Sequence, residues 1–129
     1  MEMIVADTDV LIDFLSGKDP GASRVYEELE NGVLYTTVIN RFELLSGSKS
    51  AKQNEKLNQL LDALKILVLD VPAADKAADI RRELDQKGHG IGMADSLIAG
   101  IVLEHRATLL TRNVKHYNRV HSLKLSHWK

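Results

Sequence analysis

Three acids stand out for where they fall: Asp7 directly after a short apolar run, Glu43 inside an amphipathic segment, and Asp95 at the start of another. Met3 to Ala6 reads as a buried strand, and Val10, Leu11, Phe14 and Leu15 follow as the i, i+1, i+4, i+5 stripe of a helix. An acid placed where a strand stops and a helix begins lies in the crevice where open α/β sheets bind ligands. Thr111-Arg112-Asn113 follows the apolar run Ala107 to Leu110 in the same way. If these segments converge, two or three carboxylates share one cleft. Like charges that close raise one another's pKa and destabilise the fold unless something positive intervenes. Mg²⁺ and Mn²⁺ do so naturally, because they prefer carboxylate and water oxygens. A water held by such an ion is a nucleophile toward phosphorus, and helix-start amides can hold phosphate oxygens.

Each residue also has an ordinary role. An Asp after a strand is more often an N-cap than a ligand, and Asp9 reads as the cap of the first helix, able to reach a metal through water. Glu43, between Phe42 and Leu44, fits a helix-surface acid, and Asp13 and Asp70 fit solvent-facing or turn acids. No HxxxH pair supports zinc, and no G-x-S-x-G, P-loop or G-x-G-x-x-G occurs; Gly88, Gly90 and Gly92 have the wrong spacing. The Asp7-Thr8-Asp9 spacing also permits a phosphatase-like hydrolase with Asp7 as covalent nucleophile and Asp9 as acid.

The elements that must position these groups alternate. Asp19, as N-cap, and Pro20, at the first helical position, open a second helix that ends before Gly32, with Val25, Leu29 and Tyr26 inward. Val33 to Thr37 is a second strand, followed by a helix from Val38 to Leu45 that carries Glu43. Ser50 and Gln53 make a capping-box pattern ahead of Leu57, Leu60, Leu61 and Leu64 at helical spacing. Ile66 to Val71, almost uniformly apolar, reads as a third strand buried on both faces. Pro72 to Gly88 is a helix with Ala73, Ala77, Ile80 and Leu84 inward. Ala94 to Leu103 is another, with Leu97, Ile98, Ile101 and Val102 inward, then Ala107 to Leu110 as a fourth strand and Leu123 to Leu125 as a short fifth. Strands alternating with helices predict a three-layer α/β/α sandwich around a mostly parallel sheet of four or five strands, one domain over residues 1–129.

Composition fits a globular domain: 44% hydrophobic and 27% charged residues exclude disorder as the expected state. The lack of cysteine excludes disulfides and thiolate zinc sites, no apolar run approaches the roughly 20 residues of a membrane span, and no secretory leader is visible. A cytoplasmic protein away from the membrane is expected. Net charge is −1, but residues 1–104 hold 11 Lys and Arg against all 18 Asp and Glu, whereas residues 105–129 hold Arg106, Arg112, Lys115, Arg119, Lys124 and Lys129 and no acid. Such asymmetry fits a basic edge for a polyanion, or equally a solvated tail. The aromatics Phe14, Phe42, Tyr26, Tyr35, Tyr117 and Trp128 read mostly as core or tail residues, not as base-stacking platforms.

Val5-Ala-Asp7-Thr-Asp-Val-Leu-Ile-Asp-Phe-Leu15, Glu43-Leu-Leu-Ser-Gly47, Ala94-Asp95-Ser-Leu-Ile-Ala99 and Leu110-Thr-Arg-Asn113, in that order, resemble the motifs of the PIN domain, and among its members the VapC-type toxins of prokaryotic toxin–antitoxin modules. The resemblance covers essentially the whole chain. It implies a PIN-like fold and a Mg²⁺- or Mn²⁺-dependent endoribonuclease that leaves a 5′-phosphate and a 3′-hydroxyl. It matches Asp7, Glu43 and Asp95 to the metal-binding acids, Thr8 and Thr111 to small hydroxyl positions beside the site, and Ser96 to the residue after the third acid. Asp9 stands where the family more often has Asn or Ser, and Asn113 and His116 stand where a fourth acid is frequent, so Asn113 is assigned a supporting role. Arg112, Lys115 and Arg119 are the candidates for contacting RNA phosphates. The resemblance also implies a cognate antitoxin reaching the acidic cleft, and a homodimer built from the helices near residues 20–31 and 50–64, although the leucine stripe there reads equally as core. The rival expectation is a catalytically weak PIN-like module that binds RNA or protein, favoured by Asp9 and the missing fourth acid.

Overall fold

The computed structural model describes residues 2–126. Five strands, β1 (Ile4–Ala6), β2 (Leu34–Thr37), β3 (Lys65–Leu67), β4 (Thr108–Leu110) and β5 (Lys124–Ser126), form one sheet in the order β3-β2-β1-β4-β5. Every pairing is parallel. Parallel neighbours need long crossovers, and these carry helices α1 (Thr8–Leu15), α2 (Gly21–Glu30), α3 (Val38–Ser46), α4 (Ala51–Ala63), α5 (Val71–Gln86), α6 (Met93–Glu104) and α7 (Val114–Tyr117).

Strand side chains alternate between faces, and β1 shows the consequence. Val5 joins Ile80, Leu84, Ile98 and Ile101 of α5 and α6 in one core, while Ile4 and Ala6 join Val10, Leu11, Val25 and Leu57 in another. Helix α3 touches both, through Val38 and Ile39 on one side and Leu44 on the other. The three-layer sandwich follows directly. From β1 the chain builds outward to β2 and β3, then crosses back to place β4 and β5 on β1's other side. Strand order therefore reverses at β1, and the crevice at the carboxyl ends of β1 and β4 is where this architecture binds ligands.

Helix α6, which carries Asp95, is seated tightly on α5. A Cβ at Gly100 would lie 2.5 Å from the Ala73 carbonyl oxygen and 2.8 Å from the Ala77 Cβ, so only glycine permits this approach. The alanines on the facing side of α5 serve the same end.

Several expectations change. The third strand is only Lys65–Leu67 and lies at the sheet edge, with Val68, Leu69 and Val71 exposed beyond it, so its apolar run does not mark burial on both faces. Asp70, exposed as expected, also caps α5, accepting from the Ala73 amide. Helix α2 starts at Gly21, with Asp19 accepting from both the amide and hydroxyl of Ser23. Tyr26 and Phe42, read as core, are exposed, whereas the leucine stripe of α4 (Leu57, Leu60, Leu61) is core and not a free face. Ser50 caps α4 as expected, but Gln53 reaches the Lys49 amide, one residue off the reciprocal box. A complete capping box lies instead at Thr37 and Asn40. Trp128, His127 and Lys129 lie outside the described residues.

Candidate active site

Asp7 is the residue after β1 and the N-cap of α1; its Oδ1 accepts from the Thr8 amide at 2.9 Å. The β1–β4 register sets Ala6 against Leu110, and the Asp7 amide continues the ladder to the Leu110 carbonyl. The next residue on β4's side is Thr111, whose hydroxyl donates to Asp7 Oδ2 at 2.8 Å. From α3, the fully buried Asn40 donates through Nδ2 to Asp7 Oδ1 and to Thr8 Oγ1, each at 3.0 Å. The Asn40 carbonyl oxygen is held by the Thr37 hydroxyl, which fixes the amide's orientation. Thr8 in turn donates to Glu43 Oε1 at 2.7 Å. One hydrogen-bonded chain thus connects Asp7, Asn40, Thr8 and Glu43 across the ends of β1 and α3.

Asp95 approaches from α6. Its Oδ1 accepts from the Tyr117 hydroxyl at 3.0 Å, and its Oδ2 faces His116 Nδ1 at 3.1 Å. His116 Nδ1 also faces Asn113 Nδ2 at 3.2 Å, so it donates to Asp95 in one tautomer and accepts from Asn113 in the other. The Tyr117 hydroxyl is buried and feels all three acids. Burial first, then the charges of Asp7, Asp95 and Glu43, push its ionisation far above the ordinary phenol range, so it remains a donor.

The donors around Asp7 are neutral. Burial pushes its carboxyl up to about 6, with the charges of Asp9 and Asp95 adding to that and hydrogen bonds from Thr111 and Thr8 opposing it. Such a group favours any arrival of positive charge. Among the described residues, no three His, Asp or Glu side chains close tightly enough to ligate one bare ion. Asp7 and Glu43 are spaced instead by a hydroxyl and an amide, and the ligand atoms the three acids offer are carboxylate oxygens. That fits a Mg²⁺-type cation, which keeps several of its waters and takes only one or two carboxylates.

Other expected residues divide. Asp9 does not cap α1: its Oδ2 accepts from the Arg112 amide at 3.1 Å, its Oδ1 is buried without a hydrogen-bond partner, and burial raises its pKa. Asp13 is not solvent-facing but buried, paired with the Arg112 guanidinium at 2.9 Å. Arg112 is thereby committed to the protein instead of standing free for phosphate. Arg119 lies against His89, and Lys115 is exposed on α7. Ser96 is buried with its hydroxyl turned back to the Gly92 carbonyl, away from the acids. Asn113 Nδ2 faces His116, and among the described residues its side chain makes no hydrogen bond to a carboxylate. Asn40 and Tyr117 were not anticipated. The Thr37-x-x-Asn40 cap spacing and an aromatic four residues after Asn113 were the available signals.

The protein is an all-parallel α/β/α sandwich with an acidic cleft where its strand order reverses. A PIN domain family model matches residues 4–121, and the chain belongs to that family, on its VapC branch. It is 38% identical over 85 residues to Ribonuclease VapC2 of Rickettsia felis, covering 65% of this chain and 63% of that protein. It is 30% identical over 122 residues to Ribonuclease VapC10 of Mycobacterium tuberculosis, covering 95% and 91%. Its fold superposes with a TM-score of 0.87 on a chain of the solved VapBC2 complex of Rickettsia felis bound to a promoter DNA fragment, at 27% identity over 98% of this chain and 99% of that one. The phosphatase-like reading is superseded by this membership.

Proposed function

We propose that the cleft of Asp7, Glu43 and Asp95 is the active site of a Mg²⁺- or Mn²⁺-dependent endoribonuclease, and that the protein is the toxin of a toxin–antitoxin pair. The observation that carries this is the buried Asp7, ringed by neutral donors and raised to about 6, with two further acids around the same phenol. When bound, the cation supplies an activated water and offsets negative charge that builds on the phosphate. Asp7, Glu43 and Asp95 would hold it. Asn40, Thr8, Thr111 and Tyr117 orient the acids without cancelling their charge. Lys115, exposed on α7, draws the RNA backbone toward the cleft, a salt-sensitive attraction. Arg112 acts indirectly, tying the β4–α7 turn to α1.

A partner protein is part of the same reading, since a free ribonuclease would injure its own cell. A groove of about 410 Å³ between α1, α3 and α4, walled by Ile12, Leu15, Leu44 and Leu57, runs up to Glu43. An antitoxin segment seated there would end beside the acids. The rival, a PIN-like module that binds without cleaving, is favoured by Asn113 making no hydrogen bond to a carboxylate among the described residues. A cleavage time course on tRNA and ribosomal RNA, with Mn²⁺, with Mg²⁺ and with chelator, separates the two. Metal-dependent cleavage abolished in Asp7→Asn is expected; chelator-resistant cleavage, or equal activity in the variant, would refute the proposal.

A further inference from the structure

We propose that Tyr117 is a positioning residue of the acidic cleft, its hydroxyl fixing the orientation of the Asp95 carboxylate. The inference rests on the metal-dependent reading above and deepens it. Helix α7 is a single turn, and Tyr117 is its anchor: the side chain is fully buried in the core beside α5 and α6, and its buried hydroxyl reaches the carboxylate of Asp95. There it donates to Asp95 Oδ1 at 3.0 Å. A buried phenol needs a partner, and a bond to any backbone carbonyl would have sufficed for stability. Its partner is instead the carboxylate that α6 delivers to the site.

The alternative holder of Asp95, His116, donates only when its Nδ1 carries the hydrogen, because the same atom also faces Asn113. Tyr117 donates unconditionally. Each carboxylate oxygen has two lone-pair sites, so one phenolic bond on Oδ1 sets the rotamer and leaves lone pairs free. Unlike an Arg or Lys, the phenol does so without neutralising the charge. Asp7 is treated the same way by Thr111 and Asn40. The turn after β4, which lacks a carboxylate at Asn113, therefore contributes to the site by orienting an acid from α6 instead of supplying one of its own.

The test is Tyr117→Phe, which keeps the ring and deletes one hydroxyl. Free Mn²⁺ counted by electron paramagnetic resonance gives metal affinity, and steady-state RNA cleavage separates kcat from KM. The expected result is an affinity for Mn²⁺ lower by about 10–100-fold, the scale seen when groups orienting metal ligands are removed. With it should come a fall in kcat at unchanged KM for RNA. A lowered melting temperature with wild-type Mn²⁺ affinity and kcat would make the hydroxyl merely structural and overturn the inference alone. No Mn²⁺ binding by the wild type, or undiminished binding by Asp7→Asn, would overturn it together with the reading of the cleft.

Discussion

Asp7 and Asp13 are both buried carboxylates on one stretch of chain, and the fold treats them oppositely. Asp13 receives a guanidinium, Arg112, at 2.9 Å. Asp7 receives two side-chain donors and a backbone amide, none of them charged, and its pKa climbs to about 6. Burying a charge is tolerable when a counter-ion accompanies it and costly when only neutral donors do. The counter-ion is built in where the carboxylate ties α1 to the β4–α7 turn. It is left out where a cation would be bound for chemistry.

The sharpest way to break this contrast is to neutralise each acid in turn. Asp7→Asn is expected to lower RNA cleavage by on the order of 10³-fold, about 4 kcal/mol of barrier. Asp13→Asn, 4% exposed and just as buried, is expected to keep most of the activity. Equal losses in a side-by-side cleavage assay would erase the distinction.

The stability of the metal-free protein separates the two acids in the other direction. The folded pKa of Asp7, about 6, lies above its ordinary 3.8, so the folded state holds an extra proton between those values. The stability this brings is present below about pH 4 and is lost as pH rises through 6. Above that, the charged Asp7 costs up to about 3 kcal/mol. Asp7→Asn should therefore unfold at higher urea than the wild type at pH 7.5, with the gap closing toward pH 4. A gap that stays constant with pH would contradict the assignment.

Breaking the other pair should cost stability. Arg112→Met strands Asp13 without its cation, and the unfolding free energy from denaturant titration should fall by about 2 kcal/mol, less than the 3–5 kcal/mol of a wholly buried pair because the guanidinium is half-exposed. Asp13→Asn should cost less than Arg112→Met, since the charge it leaves behind can reach water. The reverse ranking would mean that Asp13 does not depend on Arg112.

Much of this was legible beforehand. Asp7 and Asp95 could be placed because strand-to-helix junctions show in local periodicity, and the parallel sheet followed from the alternation of elements. The edge position of β3 was not, because an apolar run such as Ile66 to Val71 reads the same whether buried or half-exposed. Nor was the fate of Asp13, whose cation arrives from a residue 99 positions later, at Arg112. Asn40 escaped for a similar reason: its cap partner is local, but its bond to Asp7 exists only once α3 crosses the end of β1.

The smallest expected effect concerns the donors around Asp7. Thr111→Val keeps the side-chain shape and removes the bond to Oδ2, so cleavage should fall about tenfold, roughly one hydrogen bond to a charged group. The acid limb of the pH–rate profile should move upward, because that bond holds the Asp7 pKa down. An unmoved limb would show that Asp7 does not set it.

The central claim, that the uncompensated charge of Asp7 is kept for a cation, is tested most directly by melting the protein across a Mn²⁺ titration, wild type beside Asp7→Asn. A ligand that binds only the folded state stabilises by RT ln(1 + [L]/Kd), about 2.7 kcal/mol at a hundredfold excess over Kd. The wild-type melting temperature should rise with Mn²⁺ and that of Asp7→Asn should stay flat. Parallel rises in both, or none in either, would contradict the claim.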